Sequence, residues 1–455
     1  MTDTVYKRVK IISICVFFCV CFIAASNIDI TCAPDEAMRY PIAYFIYSTG
    51  SLPNGMESSL IHQIWGFSYA LYPYLTSIIS AFFMKLVSLF AASEASLLIA
   101  ARMTSVLAGT GTMILCFKIG EKLFRSAAFS LLFAVFTCFL PQFVFLCSYQ
   151  NNDSFAVFTT ALIIYYWICA LKTDWSVRSC IGIGIGCGLC ALSYYNAYVF
   201  LLASLALYFA DRLIKKHSSV DITGGALIIF LIAFAIAGWF FIRNATLHNG
   251  DILGFKTATL SAEQFAIDGY KPSQLMTPAK QGLSFTDTFI RSSWLPTVLG
   301  SFIGCFSYMT VKLPMLLYGF YSVGFLAGIV GFFTKTAGRK RIRTVLPALL
   351  QLAFVLVILV NLGLFLYTAY YNDYQAQGRY MMPSLLPLML FITEGFRSYS
   401  AKLSARLADP EAGAAKWAEE QKKRDNYICA ALVLCYFALF LISYIGFLIP
   451  GCKVG

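Results

Sequence analysis

The chain alternates long apolar runs with short polar segments along most of its length. These runs recur between residues 11 and 449, and a helix needs about 20 apolar residues to cross a bilayer. The pattern predicts an all-α, polytopic transmembrane helical bundle of roughly eleven spans, forming a single domain over residues 1–455. The predicted spans are 11–27, 100–119, 127–147, 151–171, 179–195, 197–211, 222–242, 314–334, 345–368, 381–397 and 427–449.

One apolar stretch, residues 67–92, does not fit this scheme. Pro73 breaks it and Lys85 interrupts it before a full crossing is complete. We therefore expect this stretch to lie along the outer interface or to dip into it. The first extracytoplasmic loop, residues 28–99, would then contain interfacial helices.

Composition and charge support a membrane protein and assign its orientation. Of the 455 residues, 59% are hydrophobic and 12% are charged, whereas a soluble protein has about a quarter charged residues. The net charge of +12 comes from short basic clusters between the apolar runs, which is the positive-inside pattern and not a nucleic-acid surface. It predicts a plasma-membrane protein with an extracytoplasmic loop at 243–313 and a cytoplasmic connector at 398–426. The clusters are 7–10, 118–125, 172–178, 212–216, 335–343 and 397–424.

Two adjacent acids, Asp35 and Glu36, follow the first apolar run and directly precede Arg39 and Tyr40. A pair of solvated loop acids is the simpler interpretation. At the outer membrane boundary, however, charged groups are costly and mark functional sites, and a carboxylate there could deprotonate an acceptor hydroxyl. The pattern does not decide which of the two acids would be the base.

Four arginines, Arg39, Arg102, Arg243 and Arg379, are predicted at the outer ends of spans. Phosphate is the natural partner of such a group, because the guanidinium fork binds it through two hydrogen bonds.

Two polar clusters lie at the same boundary. Tyr149–Ser154 includes Asn152 and Asp153, and Tyr371–Pro383 includes Gln377 and Tyr380. A plain capped turn and an interfacial tyrosine belt are the alternatives to substrate binding. We interpret both clusters as candidate sites for sugar hydroxyls or phosphate.

With these residues in view, the chain resembles the GT-C superfamily of glycosyltransferases. The Asp35–Tyr40 motif is similar to the first outer loop of aminoarabinose transferases and protein O-mannosyltransferases, and residues 101–105 are similar to the start of their second span. Residues 148–153, 301–308 and 377–383 resemble a bacterial branch of the same superfamily.

The resemblance implies a GT-C-like fold and transfer of a hexose or pentose from a polyprenyl-phosphate donor to an extracytoplasmic acceptor. It implies that Asp35 is the base, with Glu36 or Asp153 orienting it or the acceptor. It also implies that Arg102, and less directly Arg39 and Arg379, hold the lipid phosphate. Tyr40, Asn152, Gln377, Tyr380 and Arg243 are the further candidate substrate-binding residues.

We expect no cofactor and no metal requirement, although the Asp35–Glu36 pair leaves room for a divalent ion. The expected partners are the lipid-linked donor, the acceptor and membrane lipids. A transporter or flippase of a lipid-linked substrate is the main alternative, and a catalytically silent scaffold is the second. Transporters place charges near the bilayer midplane, whereas the informative charges here gather at one face.

Overall fold

The first third of the chain places two short helices between two long ones. The computed structural model describes residues 2–334, 344–407 and 414–453. The first four helices are α1 (Asp3–Asn27), α2 (Glu36–Thr49), α3 (Leu75–Val87) and α4 (Glu94–Phe124). Helix α3 contacts both α2 and α4. At 13 residues it is about 20 Å long, too short to cross the roughly 30 Å hydrocarbon core, as expected for residues 67–92.

Six helices of unequal length follow. They are α5 (Ala127–Cys138), α6 (Pro141–Leu146), α7 (Asp153–Lys172), α8 (Val177–Ala191), α9 (Val199–Ile214) and α10 (Ser219–Leu247). The predicted span 127–147 is divided into α5 and α6, because Pro141 has no N–H to continue the preceding helix. Helix α8 packs between α7 and α10.

The predicted extracytoplasmic loop 243–313 is structured. It begins within the end of α10 and contains α11 (Phe255–Phe265), α12 (Phe285–Phe289), α13 (Trp294–Gly304) and a hairpin of β1 (Cys305–Phe306) and β2 (Val311–Lys312). The strands are antiparallel, with Cys305 opposite Lys312. Ser307 and Met309 take left-handed backbone angles in the tight turn between them.

The remaining helices complete the bundle. They are α14 (Met315–Phe333), α15 (Ala348–Tyr371), a 3-10 helix (Gly378–Ser384), α16 (Leu385–Arg406), α17 (Ala414–Ser443), a π-helical turn (Tyr444–Leu448) and α18 (Ile449–Cys452). The predicted connector 398–426 consists largely of the end of α16 and the start of α17. Residues 408–413 of it, and the basic cluster 335–343, lie outside the described residues.

Eight helical segments in the described ranges are long and apolar enough to cross a membrane, and three shorter apolar helices accompany them. The polytopic helical bundle is confirmed, but the expected count of eleven spans is not. Two of the missing spans are too short, since α8 has 15 residues, or about 22 Å, and α5 has 12. The third, predicted at 381–397, falls largely on α16, which has 22 residues but is not apolar enough. The sequence pattern counted each of these runs as a full span.

The α14–α16 contact depends on two glycines that bring the helix backbones together. A Cβ atom added to Gly395 would lie 1.7 Å from the carbonyl oxygen of Gly328. We expect Gly395→Ala to destabilise the protein by about 1–3 kcal/mol through overpacking. The measurement is the thermal unfolding midpoint in detergent. Gly363→Ala, in open space on α15, is the control, and equal midpoints for the two variants would contradict the prediction.

Candidate active site

The side chains of Asp35 and Glu36, the two adjacent acids of the first loop, lie in different surroundings. Glu36 is completely buried and forms a two-pronged ion pair with Arg102 of α4, which is 1% exposed. Arg102 Nε lies 2.9 Å from Glu36 Oε1, and Arg102 Nη2 lies 2.5 Å from Glu36 Oε2. The pair therefore anchors the start of α2 to α4.

The remaining hydrogen bonds of this pair are also made within the protein. Arg102 Nη1 donates to the carbonyl oxygens of Ala25 and Ile28, at 2.8 and 2.7 Å. Glu36 Oε1 accepts the backbone N–H of Gln150 at 2.7 Å. Because the guanidinium already has these partners, its placement favours a structural role and not the predicted phosphate contact. The same holds for the predicted catalytic role of Glu36.

Asp35 takes a left-handed backbone angle, φ 66°, immediately before α2, which is a conformation that Asp tolerates better than most residues. Its Oδ2 atom lies 2.8 Å from Arg379 Nη1, and its Oδ1 atom accepts a long hydrogen bond of 3.4 Å from the Tyr69 hydroxyl. The side chain is 23% exposed. Unlike Glu36, Asp35 is thus partly accessible.

Opposing effects set the charge state of Asp35. Burial alone would raise the pKa of this carboxyl group, but the positive charges of Arg379 and Arg39 outweigh it and hold the pKa below its ordinary value. Asp35 is therefore ionised at neutral pH. Burial raises the pKa of Tyr69 well above its ordinary value, so the phenol remains a hydrogen-bond donor.

A cavity of about 520 Å³ opens beside Tyr69. Arg39 lines it and is itself 6% exposed, with its guanidinium carbon 4.4 Å from the centre of the Tyr69 ring and 5.9 Å from that of Tyr194. Among the described residues, Arg39 forms no ion pair with a carboxylate. Other lining residues are Asn152, Ser193, Asn361, Phe365, Asp373, Gln375 and Tyr380.

A smaller cavity of about 60 Å³ lies beside Arg379. Within the described chain, the Nε and Nη1 atoms of Arg379 are buried without a hydrogen-bond acceptor in good geometry, although Nη1 is close to Asp35. Tyr149, Tyr308 and Gln377 also line this cavity. Asp35 lines neither cavity itself, but it lies between them, in contact with Tyr69 of the larger and with Arg379 of the smaller.

The other predicted site residues divide into two groups. Tyr380 lines the larger cavity and Gln377 the smaller one, and Asp153 is buried at the start of α7. Asn152 reaches the larger cavity, but its side-chain amide nitrogen donates to the carbonyl oxygens of Pro73 and Ser193.

Arg243 and Tyr40 serve the packing of the first loop. Arg243 donates to the Leu52 carbonyl oxygen at 3.0 Å and to the Tyr74 hydroxyl at 3.3 Å. Tyr40 packs in a hydrophobic cluster with Met84. The placement of these two residues does not favour substrate contact.

Sequence reasoning missed Tyr69 and Tyr194, whose rings flank Arg39. Tyr69 lies near the start of the apolar stretch 67–92 and Tyr194 near the end of the predicted span 179–195, so neither could be distinguished from an interfacial tyrosine. Their shared contact with Arg39 appears only in the structure. In the described part of the chain, no three His, Cys, Asp or Glu side chains are grouped closely enough to hold a metal ion.

Comparisons with known proteins show which proteins this chain is similar to. Residues 73–239 match the family model described as dolichyl-phosphate-mannose-protein mannosyltransferase. Among curated proteins, no sequence matches the chain significantly.

Solved structures resemble nearly all of the chain, and two examples follow. ArnT from Cupriavidus metallidurans, bound to undecaprenyl phosphate, has a TM-score of 0.56 and 11% identity over 99% of this chain and 74% of its own. The oligosaccharyltransferase AglB from Archaeoglobus fulgidus, with an inhibitory peptide and a dolichol-phosphate, has a TM-score of 0.52 and 11% identity over 92% of this chain and 56% of its own. The protein therefore shares the fold of these two structures, and the fold expected from the resemblance is confirmed.

The Glu36–Arg102 pair gives a test that separates structural from catalytic roles. Removing one partner leaves a buried charge uncompensated, so Arg102→Met should lower stability by about 3–5 kcal/mol. The double variant Glu36→Leu/Arg102→Met should recover part of this loss. Unfolding midpoints in detergent measure both effects. An Arg102→Met protein as stable as the wild type but defective in donor binding would support the phosphate role instead.

Proposed function

We propose that the protein is a glycosyltransferase that moves a hexose or pentose from a polyprenyl-phosphate donor to a hydroxyl-bearing acceptor outside the membrane. One observation above all supports this: an ionised Asp35 is held between two cavities, with an arginine beside each. The GT-C fold and the lipid phosphates named for ArnT and AglB agree with this class of reaction.

In the proposed reaction, Asp35 is the general base. The acceptor hydroxyl attacks the anomeric carbon from the face opposite the phosphate and gives its proton to a carboxylate oxygen of Asp35. The new glycosidic bond forms as the bond from the anomeric carbon to the phosphate oxygen breaks. The products are an inverted glycoside and the free polyprenyl phosphate.

Arg39 is the stronger candidate for the phosphate contact. It is buried, lines the larger cavity and has no carboxylate partner among the described residues, whereas Arg379 is held by Asp35. A guanidinium placed there would stabilise the negative charge that grows on the leaving phosphate. Arg379 would serve mainly to keep Asp35 ionised. We further propose that the reaction needs no metal ion.

The larger cavity suits the sugar of the donor. Its polar lining includes Asn361, Asp373, Gln375 and Tyr380, which offer both donors and acceptors to hydroxyl groups. The smaller cavity, next to the β1–β2 hairpin, would admit the acceptor. By the positive-inside pattern, this end of the bundle faces the extracytoplasmic side of the plasma membrane.

Asp35→Asn tests the base directly. Asn tolerates the left-handed backbone and keeps the size of the side chain, so the fold should be preserved. We expect turnover to fall about a hundred- to ten-thousand-fold, measured as sugar release from purified polyprenyl-phosphate glycosides. Residual activity above a tenth of the wild type would rule out the assignment. Asp268→Asn, which changes an exposed acid of the 243–313 loop that lines neither cavity, is the control and should retain nearly full activity.

The pH profile tests the role of Arg379. The folded pKa of Asp35 lies below its ordinary value, so activity should hold at all pH values above about 4 and fall only below it. In Arg379→Gln, burial would dominate and the acidic limb of kcat/KM should move to higher pH. Arg379→Lys keeps the charge and should move it less. An unchanged limb in Arg379→Gln would show that another group limits the rate.

A further inference from the structure

A separate cavity of about 680 Å³ lies at the end of the bundle remote from Asp35. Three helices show this placement. α4 contributes Arg102 near its start to the first-loop anchor and Lys122 near its end to this cavity. α15 contributes Asn361 to the 520 Å³ cavity and Leu350 to this one. α7 runs from Asn152, which precedes it and lines the 520 Å³ cavity, to Lys172, which lines this one.

The rim of this cavity has an excess of positive charge. Lys122, Arg125 and Lys172 line it, and none of them forms an ion pair with a described carboxylate. Lys172 donates to the carbonyl oxygen of Lys122, which leaves two of its three N–H groups for other partners. The cavity also contains Asp211, but this carboxylate is paired with Lys215 at 2.8 Å. Three positive charges therefore remain for an anion.

The walls below this rim are apolar and continue into the bundle. Ile168, Leu171 and Leu349 line the cavity. Leu349 also lines an adjoining groove of about 260 Å³ between α9 and α15, whose walls contain only aliphatic side chains. On α9 this groove runs from Val199 to Ala210, about 16 Å at 1.5 Å per residue.

We propose that this cationic cavity and the α9–α15 groove together bind one anionic phospholipid of the leaflet opposite the candidate active site. The phosphate would lie among Lys122, Arg125 and Lys172, and an acyl chain would lie along the groove. The length of the groove supports this occupant. About 16 Å is close to half of the roughly 30 Å hydrocarbon core, which is the thickness of one leaflet. A soluble anion would leave the groove unexplained.

The test uses the full-length protein in nanodiscs and counts retained phosphatidylglycerol by native mass spectrometry. The wild type should retain this lipid in preference to phosphatidylcholine. Each cation near an anionic lipid contributes about fivefold to binding, so Lys122→Gln/Arg125→Gln should weaken retention about 25-fold. Lys7→Gln/Arg8→Gln removes two exposed charges from the same end and should leave retention unchanged. Leu349→Trp keeps the charges, narrows the groove and should also reduce retention.

Thermal midpoints in phosphatidylcholine discs show that each variant is folded. Equal retention of both lipids by the wild type, or undiminished retention by Lys122→Gln/Arg125→Gln, would overturn the proposal. Competition by inorganic phosphate would also overturn it, because the site would then be one for soluble anions. One-for-one displacement by polyprenyl phosphate would assign the groove to the prenyl chain and overturn it as well.

Discussion

The end of the bundle that holds the candidate active site depends on the buried ion pair between Glu36 and Arg102. A carboxylate and a guanidinium both excluded from solvent are stable only when their hydrogen bonds are made inside the protein, and here the partners come from several separate segments. The end of α1, the start of α2, the turn before α7 and the outer part of α4 all contribute atoms. Loss of either charge would leave the other buried among these segments without a counter-charge.

This ion pair explains why the side chains of two neighbouring acids lie in different environments. Because Glu36 is directed into the bundle by α2, the left-handed turn at Asp35 directs its own carboxylate toward Tyr69 and Arg379. The Glu36 carboxylate accepts three hydrogen bonds and is completely buried, whereas Asp35 is ionised and partly exposed. The environments of two adjacent carboxylates can thus differ enough to keep one in an internal ion pair and the other accessible.

The sequence was sufficient to predict the helical bundle and the absence of a full-length helix within residues 67–92. It was not sufficient for the number of full spans, because hydropathy does not show that Pro141 divides one run or that α8 is short. The sequence also did not show which carboxylate each arginine pairs with. Arg39, Arg102 and Arg379 have the same chemistry and the same predicted depth, and only the three-dimensional contacts show which of them already has a partner.

The contact of Arg102 with the carbonyl oxygens of Ala25 and Ile28 has a consequence for biosynthesis. Ala25 lies in α1 and Ile28 caps that helix, and their donor lies on α4, 77 and 74 residues later in the chain. Until α4 has been inserted, the end of α1 and the charge on Glu36 must remain hydrated at the membrane surface. Docking of the first loop must therefore follow insertion of α4, so this face of the bundle is assembled after its helices have entered the bilayer.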